Sequence, residues 1–304
     1  ATISAIAGEP GLEPTIVIGG DVRALGGNAR DGKSPWVVAE SDESDGSFLK
    51  FHPYIPVITN IEDDHLDHYG TEENIYQAFK QFLGDMKEGG TGVLCMDNPK
   101  VRRLAQETDR PFITYGLTDD CDYYAKDIRH TREGNYYDLY HRGEKMGTIH
   151  LIIPGRHNVL DSLGAASAAL LMGVPFASIR RSLAAFAGAK RRFETKGRCN
   201  GIWVVDDYAH HPTEIAATLR AAKETGAREV VCVFQPHRYT RTKLLHDEFC
   251  ECFRACDKLI LTHIYSAGEA PIAGVTSEAL ANDIRKTTGQ DVRYIDHFDD
   301  VETY

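Results

Sequence analysis

The first third of the chain alternates short apolar runs with an amphipathic segment. Four apolar runs, each bounded by turn-forming residues, occupy residues 15–18, 36–39, 56–59 and 92–96. Runs of this kind predict strands that are buried on both faces of a parallel sheet. Residues 72–87 place their apolar side chains at helical spacing, which predicts an amphipathic helix capped by Thr71.

The pattern changes between residues 112 and 153. Apolar and aromatic positions recur there at period two around Gly143 and Gly147, which predicts a small antiparallel insertion. Helical spacing resumes at residues 158–172 and 175–186.

A second strand and helix series follows. Strands are predicted at residues 202–205, 230–234, 259–262 and 292–295, and helices at residues 212–225, 241–256 and 277–288. Regular alternation predicts a parallel, right-handed, doubly wound sheet. We therefore expect two α/β domains, spanning residues 1–188 and 189–304, with the ligand cleft between them at the carboxyl ends of strands.

Composition narrows the function classes. The 304 residues carry a formal net charge of −11, which argues against a nucleic-acid partner, because such proteins present a basic surface. No apolar run approaches the roughly 20 residues of a membrane span. Seven cysteines and no recognisable secretory leader favour free thiols in a reducing cytoplasm. For the thiols between residues 250 and 256, burial is favoured over zinc binding.

Two acidic segments follow predicted strands of the first domain. Glu40 begins one of them, and the other contains Asn60 and His65. Carboxylates and an imidazole at strand ends suit a hard divalent cation such as Mg²⁺. Residues 27–34 match the phosphate-loop pattern, but Pro35 and a predicted strand follow them, so we reject that interpretation.

Further polar clusters lie at a helix start, at the domain joint and at two strand ends. Asn158 and Asp161 share a helical face and could bind a base or a ribose; helix capping by Asn158 is the alternative. The basic segment 190–193 could clamp a phosphate or be a solvated linker. Segments 206–214 and 235–242 concentrate His, Arg and carboxylate side chains at equivalent strand ends, which favours a functional role.

Together these segments resemble the Mur ligases. The matching stretches, in chain order, are residues 39–45, 59–65, 155–158, 191–193, 206–214, 234–242 and 265–272. The resemblance implies a central ATPase domain, mostly parallel with a small antiparallel insertion, and a Rossmann-like C-terminal domain. It also implies ATP-dependent ligation of L-alanine to the carboxylate of UDP-N-acetylmuramate through an acyl phosphate, in peptidoglycan precursor synthesis.

The resemblance also assigns residues. Glu40 and His65 match the family's Mg²⁺ site, and Asn60 lies on the substrate side. Nucleotide contacts are expected from His157, Asn158, Asp161, Arg192 and Asp207. The sugar carboxylate and L-alanine are expected to meet near Tyr208, His210, His211, His237, Arg238 and Arg241. Among all of these, Glu40, His65, Arg192, His211 and Arg241 are the candidate catalytic residues.

One position departs from the family pattern, and several questions stay open. Asp161 stands where the family usually carries Asn, and an ionised carboxylate cannot donate a hydrogen bond. We expect the family's UDP-binding domain, its phosphate loop and the last C-terminal elements to be missing, so that the chain alone would be inactive. The alternatives are a murein-peptide ligase and a non-catalytic nucleotide-binding fragment. A monomer and a homodimer are both compatible with the sequence.

Overall fold

The computed structural model describes residues 1–8, 12–22, 26–62 and 66–304. Contacts divide the chain into unit 1, Ala1–Lys190, and unit 2, Arg191–Tyr304. The longest described helix has 16 residues, and no helix within those ranges is both long and apolar enough to cross a bilayer.

Unit 1 contains nine strands and six helices in its described residues. In chain order they are α1 (Thr2–Ala7), β1 (Thr15–Val22), β2 (Gly27–Arg30), β3 (Val37–Ala39), β4 (Val57–Ile58), α2 (Leu66–Tyr69), α3 (Glu72–Gly84), β5 (Gly92–Cys95), α4 (Pro99–Glu107), β6 (Phe112–Gly116), β7 (Tyr123–Thr131), β8 (Gly134–His141), β9 (Glu144–Leu151), α5 (Arg156–Leu171) and α6 (Phe176–Ala185). A 3₁₀ turn covers Ser47–Lys50. Thr71 caps α3 by accepting the N–H of Asn74 at 3.2 Å, as predicted.

The strands of unit 1 form two sheets. Six strands lie in the order β4-β5-β6-β7-β8-β9, parallel from β4 to β7 and antiparallel from β7 to β9. The predicted antiparallel segment is therefore present, and it extends the main sheet. In the smaller sheet, ordered β2-β1-β3, β1 pairs in parallel with β3. The two predicted acidic segments follow β3 and β4. These two strands lie in different sheets and do not pair with each other.

The main sheet of unit 1 is buried on both faces. Along β5, Val93 and Cys95 join the core beneath α5, whereas Leu94 joins the core formed with α3 and α4. Alternation of this kind is expected where helices cover both faces of a parallel sheet. The continuous apolar run at residues 92–96 is thus explained by two cores that share one strand.

The segment that matches the phosphate-loop pattern contains strand β2 and no helix. The N–H groups of Lys33 and Ser34 donate to the carbonyl oxygen of Glu13, and the N–H of Gly32 donates to the Thr15 hydroxyl at 3.1 Å. A phosphate loop needs such N–H groups for its ligand. Their internal partners support the rejection of that motif.

Unit 2 contains five strands and five helices. They are β10 (Glu194–Cys199), β11 (Ile202–Asp206), α7 (Pro212–Glu224), β12 (Val231–Phe234), α8 (Tyr239–Leu244), α9 (His246–Cys252), β13 (Lys258–Leu261), α10 (Ser277–Thr288), β14 (Asp291–Tyr294) and α11 (Phe298–Thr303). Strands β12, β13 and β14 form a parallel sheet. Cys250, Cys252 and Cys256 are buried in the core beneath it, as expected for structural thiols.

Two local predictions for unit 2 are wrong. The predicted strand at residues 202–205 pairs antiparallel with β10, which was not predicted, and these two strands form a separate sheet. The predicted helix at 241–256 is broken at Leu245, whose φ of −106° and ψ of 27° leave the helical region. Leu245 packs against the core while Leu244 is exposed, so burial takes precedence over helix continuity there.

Candidate active site

Glu40 lies directly after β3, where its backbone N–H donates to the Val17 carbonyl at 2.8 Å. Its carboxylate is exposed, and it passes so close to Gly19 that a Cβ there would lie 3.1 Å from Glu40 Oε1.

The second of the two predicted acidic segments contains Asn60 and His65. Asn60 follows β4 on the surface and accepts a hydrogen bond from the Thr59 hydroxyl at 3.4 Å. His65 lies outside the described residues. The Mg²⁺ assignment to Glu40 and His65 therefore stays a prediction.

His157 and Asn158 lie in the first turn of α5, just after a tight backbone turn. Gly155 begins that turn with a φ of +98°, a conformation that favours glycine. Asn158 Nδ2 donates to the Pro154 carbonyl at 2.6 Å and lies 3.1 Å from His157 Nε2. Both side chains remain partly exposed, and Asp161 is exposed one turn later.

A buried amide that we did not predict supports this turn. Asn135 on β8 is fully buried, and its Nδ2 donates to the carbonyl oxygens of Ile153 at 2.9 Å and Gly155 at 3.1 Å. Its Oδ1 lies 2.6 Å from His130 Nδ1. The signal was present in the sequence, because Asn135 shares period-two spacing with the buried Tyr137 and Leu139.

In unit 2, Asp207 holds the backbone around Arg192. Asp207 Oδ2 accepts the N–H of Phe193 at 2.7 Å, and Oδ1 accepts the N–H of Ala209 at 2.8 Å. Arg191 and Phe193 both have φ near +50°, which is uncommon for residues other than glycine. The carboxylate therefore stabilises a strained turn, and its predicted contact with a nucleotide stays a prediction.

Glu214 organises the start of α7. Its Oε2 accepts the backbone N–H groups of His210 at 3.1 Å and His211 at 3.3 Å, and its Oε1 lies 3.3 Å from Arg192 Nη1. Burial alone would raise the pKa of Glu214, but the two backbone donors and the positive charges of His210 and Arg192 hold it below its ordinary value. His211 Nδ1 accepts the N–H of Thr213 at 3.4 Å, which completes a capping box.

The strand ends of unit 2 bring several predicted substrate residues together. Arg241 Nη1 donates to His237 Nδ1 at 3.1 Å, and the His237 ring stacks on Tyr265 with centroids 5.6 Å apart. The His210 ring lies 6.1 Å from His237 and 5.1 Å from Tyr208.

Arg238 precedes α8 with a φ of +71°, and its N–H donates to the Tyr265 carbonyl at 2.8 Å. Burial lowers the pKa of His237, and the charges of Arg241 and Arg238 lower it further. The imidazole is thus kept neutral beside two guanidinium groups.

Glu269 was given no role in the sequence analysis, although it lies beside the predicted substrate residues. It accepts the N–H of Thr240 at 3.0 Å and the Thr240 hydroxyl at 2.6 Å, and so anchors the first turn of α8 beside Arg241. Its pKa is lowered by these hydrogen bonds. Tyr265 and Glu269 lie in the stretch 265–272 that carried part of the family resemblance, but spacing alone gave them no role.

Within the described ranges, no three His, Cys, Asp or Glu side chains are grouped closely enough to hold a metal ion by themselves. Mg²⁺ at nucleotide sites is usually bound by one or two carboxylates, several waters and the phosphates of the substrate. The exposed oxygen donors of Glu40 fit that mode of binding. They do not fit a closed all-protein metal cage.

Comparison with known proteins gives the family. The profile of the Mur ligase middle domain matches residues 28–169, and that of the Mur ligase glutamate ligase domain matches residues 191–304. The chain belongs to the Mur ligase family. Its α/β fold and the order of its two units along the chain agree with this membership. The family indicated by the sequence motifs is thus confirmed.

Individual relatives of the Mur ligase family refine the comparison. A UDP-N-acetylmuramate–L-alanine ligase of Pelotomaculum thermopropionicum is 47% identical over 295 residues, which cover 97% of this chain and 64% of that protein. The crystal structure of UDP-N-acetylmuramate-alanine ligase from Thermotoga maritima has a TM-score of 0.81 at 26% identity, covering 99% of this chain and 65% of that one.

A MurF ligase of Thermotoga maritima, solved in complex with ADP, shares the fold with a TM-score of 0.68 at 18% identity. The alignment covers 96% of this chain and 72% of the ligase. The present chain spans 64% of the length of the L-alanine ligase from Pelotomaculum thermopropionicum, which is somewhat less than two thirds.

Proposed function

We propose that this chain forms the nucleotide and amino-acid binding parts of an ATP-dependent ligase that joins L-alanine to UDP-N-acetylmuramate. The product would be a precursor of peptidoglycan. The observation that carries the proposal is the 47% identity, over nearly the whole chain, with a relative of that name. The cluster of His237, Arg238 and Arg241 in unit 2 supports it, because both substrates carry a carboxylate that guanidinium groups can bind.

The proposed reaction has two steps. A carboxylate oxygen of UDP-N-acetylmuramate attacks the γ-phosphorus of ATP, the bond to the bridging oxygen breaks, and ADP leaves with that electron pair. The amine of L-alanine, after losing a proton, then attacks the acyl carbon. The carbon–oxygen bond to phosphate then breaks and the nitrogen gives up a second proton to the departing phosphate, which leaves the amide and releases inorganic phosphate.

Unit 1 would bind the nucleotide and the cation. Glu40, with His65, would hold Mg²⁺, which when bound neutralises negative charge on the phosphate oxygens. His157 and Asn158 would contact the adenine base from the first turn of α5. Asp161, one turn later, can only accept hydrogen bonds when ionised, so its contact would differ from that of the family's Asn.

Unit 2 would bind the substrates that carry a carboxylate. The guanidinium groups of Arg238 and Arg241 suit bidentate recognition of a carboxylate. Arg192 and Asp207 would contact the nucleotide, and Asn60 of unit 1, with Tyr208, His210 and His237, would contact the substrates. His211 Nδ1 accepts the N–H of Thr213 as a helix cap, so in the neutral ring Nε2 carries the hydrogen and would donate a hydrogen bond to a substrate oxygen.

Phosphate release by the intact protein tests the proposal. With ATP, Mg²⁺ and UDP-N-acetylmuramate, we expect release to require L-alanine and to be much slower with a tripeptide. A preference for the tripeptide would instead indicate a murein-peptide ligase. Absence of release with every acceptor would contradict both and favour a non-catalytic nucleotide-binding protein.

The Glu40→Gln variant tests the cation assignment. Loss of the carboxylate should lower kcat at least a hundredfold and raise the Mg²⁺ concentration needed for half-maximal rate. Asp45→Asn removes the same charge nearby but keeps the oxygen that accepts the N–H of Ser47 at 2.9 Å, so its rate should be unchanged. An unchanged Mg²⁺ dependence in Glu40→Gln would refute the assignment.

A further inference from the structure

We propose that Asn135 is a positioning residue for the nucleotide, which holds the turn that carries His157 and Asn158. The inference rests on the proposed function, because it assumes that this turn contacts the adenine base. It goes beyond that function by assigning a role to a fully buried residue on β8 that touches no substrate.

The hydrogen bonds of Asn135 are concentrated on the turn. Both amide hydrogens are used, one on the Ile153 carbonyl and one on the Gly155 carbonyl. The Gly155 carbonyl also accepts the N–H of Asn158 at 3.1 Å, so one oxygen joins Asn135 to the first helical turn. The position of the Asn158 backbone therefore depends directly on the Asn135 amide.

His130 fixes the orientation of that amide. With His130 Nδ1–H donating to Oδ1 at 2.6 Å, the Nδ2 group is directed toward the turn. A buried primary amide is costly unless all of its polar atoms are paired. Here the amide nitrogen is paired with the turn and the amide oxygen with His130. These bonds are separate from the backbone hydrogen bonds between the strands, as expected of a side chain that supports a loop.

The neighbouring Tyr137 offers a matched control. It is also fully buried on β8, and its hydroxyl lies 2.7 Å from Ser162 Oγ on α5. Tyr137→Phe therefore removes one hydrogen bond between β8 and α5. That bond is made at Ser162, further along α5 than the turn that Asn135 supports.

The test uses Asn135→Leu in the intact protein, because Leu keeps the branched shape and loses all donors and acceptors. We expect the KM for ATP to rise about tenfold and the preference for ATP over GTP in kcat/KM to fall by a similar factor. The KM values for L-alanine and UDP-N-acetylmuramate should change by less than about twofold. Tyr137→Phe should lower the melting temperature and leave every KM and the base preference unchanged.

Two further variants make each outcome decisive. If Asn135→Leu does not fold at the assay temperature, His130→Phe replaces it, since this change removes the donor that orients the amide and leaves Asn135 in place. An unchanged ATP KM in the folded variant, or an equal change in Tyr137→Phe, overturns the inference. Asn158→Ala tests the base contact itself: if it alters neither the ATP KM nor the base preference, the proposed base site is wrong and the inference falls with it.

Discussion

The two regions assigned to ligands are held in place by different kinds of interaction. In unit 1, the turn before α5 is fixed by neutral amides and backbone carbonyls, with Asn135 fully buried beneath it. In unit 2, the loops around Arg192 and Arg241 are fixed by the carboxylates of Asp207 and Glu214 and by the neutral imidazole of His237.

This difference has a consequence for pH. Amide and carbonyl groups hold the turn of unit 1, and the His130 Nδ1–H that supports Asn135 donates whether or not the ring is protonated. Burial also raises the pKa of the nearby Tyr137. Carboxylates and an imidazole hold the loops of unit 2, so acid should disturb these loops before it disturbs the turn of unit 1. The following predictions test that contrast, beginning with the largest effect.

Asp207→Asn should produce the largest loss of stability. Asp207 accepts the N–H groups of Phe193 and Ala209. The Asn side chain could accept only one of them, and its own Nδ2 donor would face the other N–H. We expect a decrease of about 2 kcal/mol in the free energy of unfolding, measured by urea denaturation.

Asp206→Asn is the control for Asp207. Asp206 is paired with two partly exposed cations, Lys196 at 3.6 Å and Arg191 at 4.0 Å. Its replacement should cost less than about 0.5 kcal/mol. Equal costs for the two variants would show that Asp207 does not support the turn.

Glu214→Gln should produce an intermediate effect that depends on pH. Because the pKa of Glu214 is lowered on folding, its ionised form stabilises the protein above the unfolded value of 4.5, and that contribution disappears as the pH falls through the folded value. At pH 7 the variant should be less stable by about 1 kcal/mol, as for loss of a helix cap.

The unfolding experiment for Glu214 is repeated from pH 7 to pH 3. The wild type should lose its advantage over Glu214→Gln below pH 4.5. Tyr137→Phe, in unit 1, should show a constant difference from the wild type between pH 5 and 8. A Glu214→Gln difference that is equally constant down to pH 3 would contradict the contrast between the two units.

His237→Asn should produce the smallest effect, which is kinetic. In the wild type, acid protonates Nδ1 and breaks its hydrogen bond with Arg241; the lowered pKa places this change below pH 6.5. The KM for L-alanine should therefore be steady above pH 6.5 and rise roughly threefold at lower pH. Asn keeps an acceptor near the Nδ1 position and does not titrate, so the variant should lack this rise; parallel profiles would argue against the role of His237.

Much of the local structure could be predicted from the sequence. The cap at Thr71, the buried strand at residues 92–96 and the helix at 277–288 follow from patterns within a few residues. The sequence also predicted that ionisable side chains of segments 206–214 and 235–242 gather at strand ends, and the structure brings His210, His237 and Arg241 close together. Their functional role stays a prediction. Local periodicity and local chemistry were sufficient in these cases.

What could not be predicted depends on partners far away in the chain. The carbonyls bound by Asn135 lie 18 and 20 residues along the chain, and Glu269 binds Thr240 across 29 residues. Apolar spacing shows which face of a strand is buried, but it does not identify the partner of a buried polar group. The pairing of β10 with β11 and the break at Leu245 were missed for the same reason: tertiary packing decides them.

The most direct test of the central claim follows the oxygen atoms of the sugar carboxylate. UDP-N-acetylmuramate labelled with ¹⁸O in both carboxylate oxygens is turned over by the intact protein with ATP, Mg²⁺ and L-alanine, and the released phosphate is analysed by mass spectrometry. The acyl-phosphate route predicts one ¹⁸O atom in each phosphate and one in each amide product. Phosphate without ¹⁸O would contradict carboxylate activation and with it the proposed function.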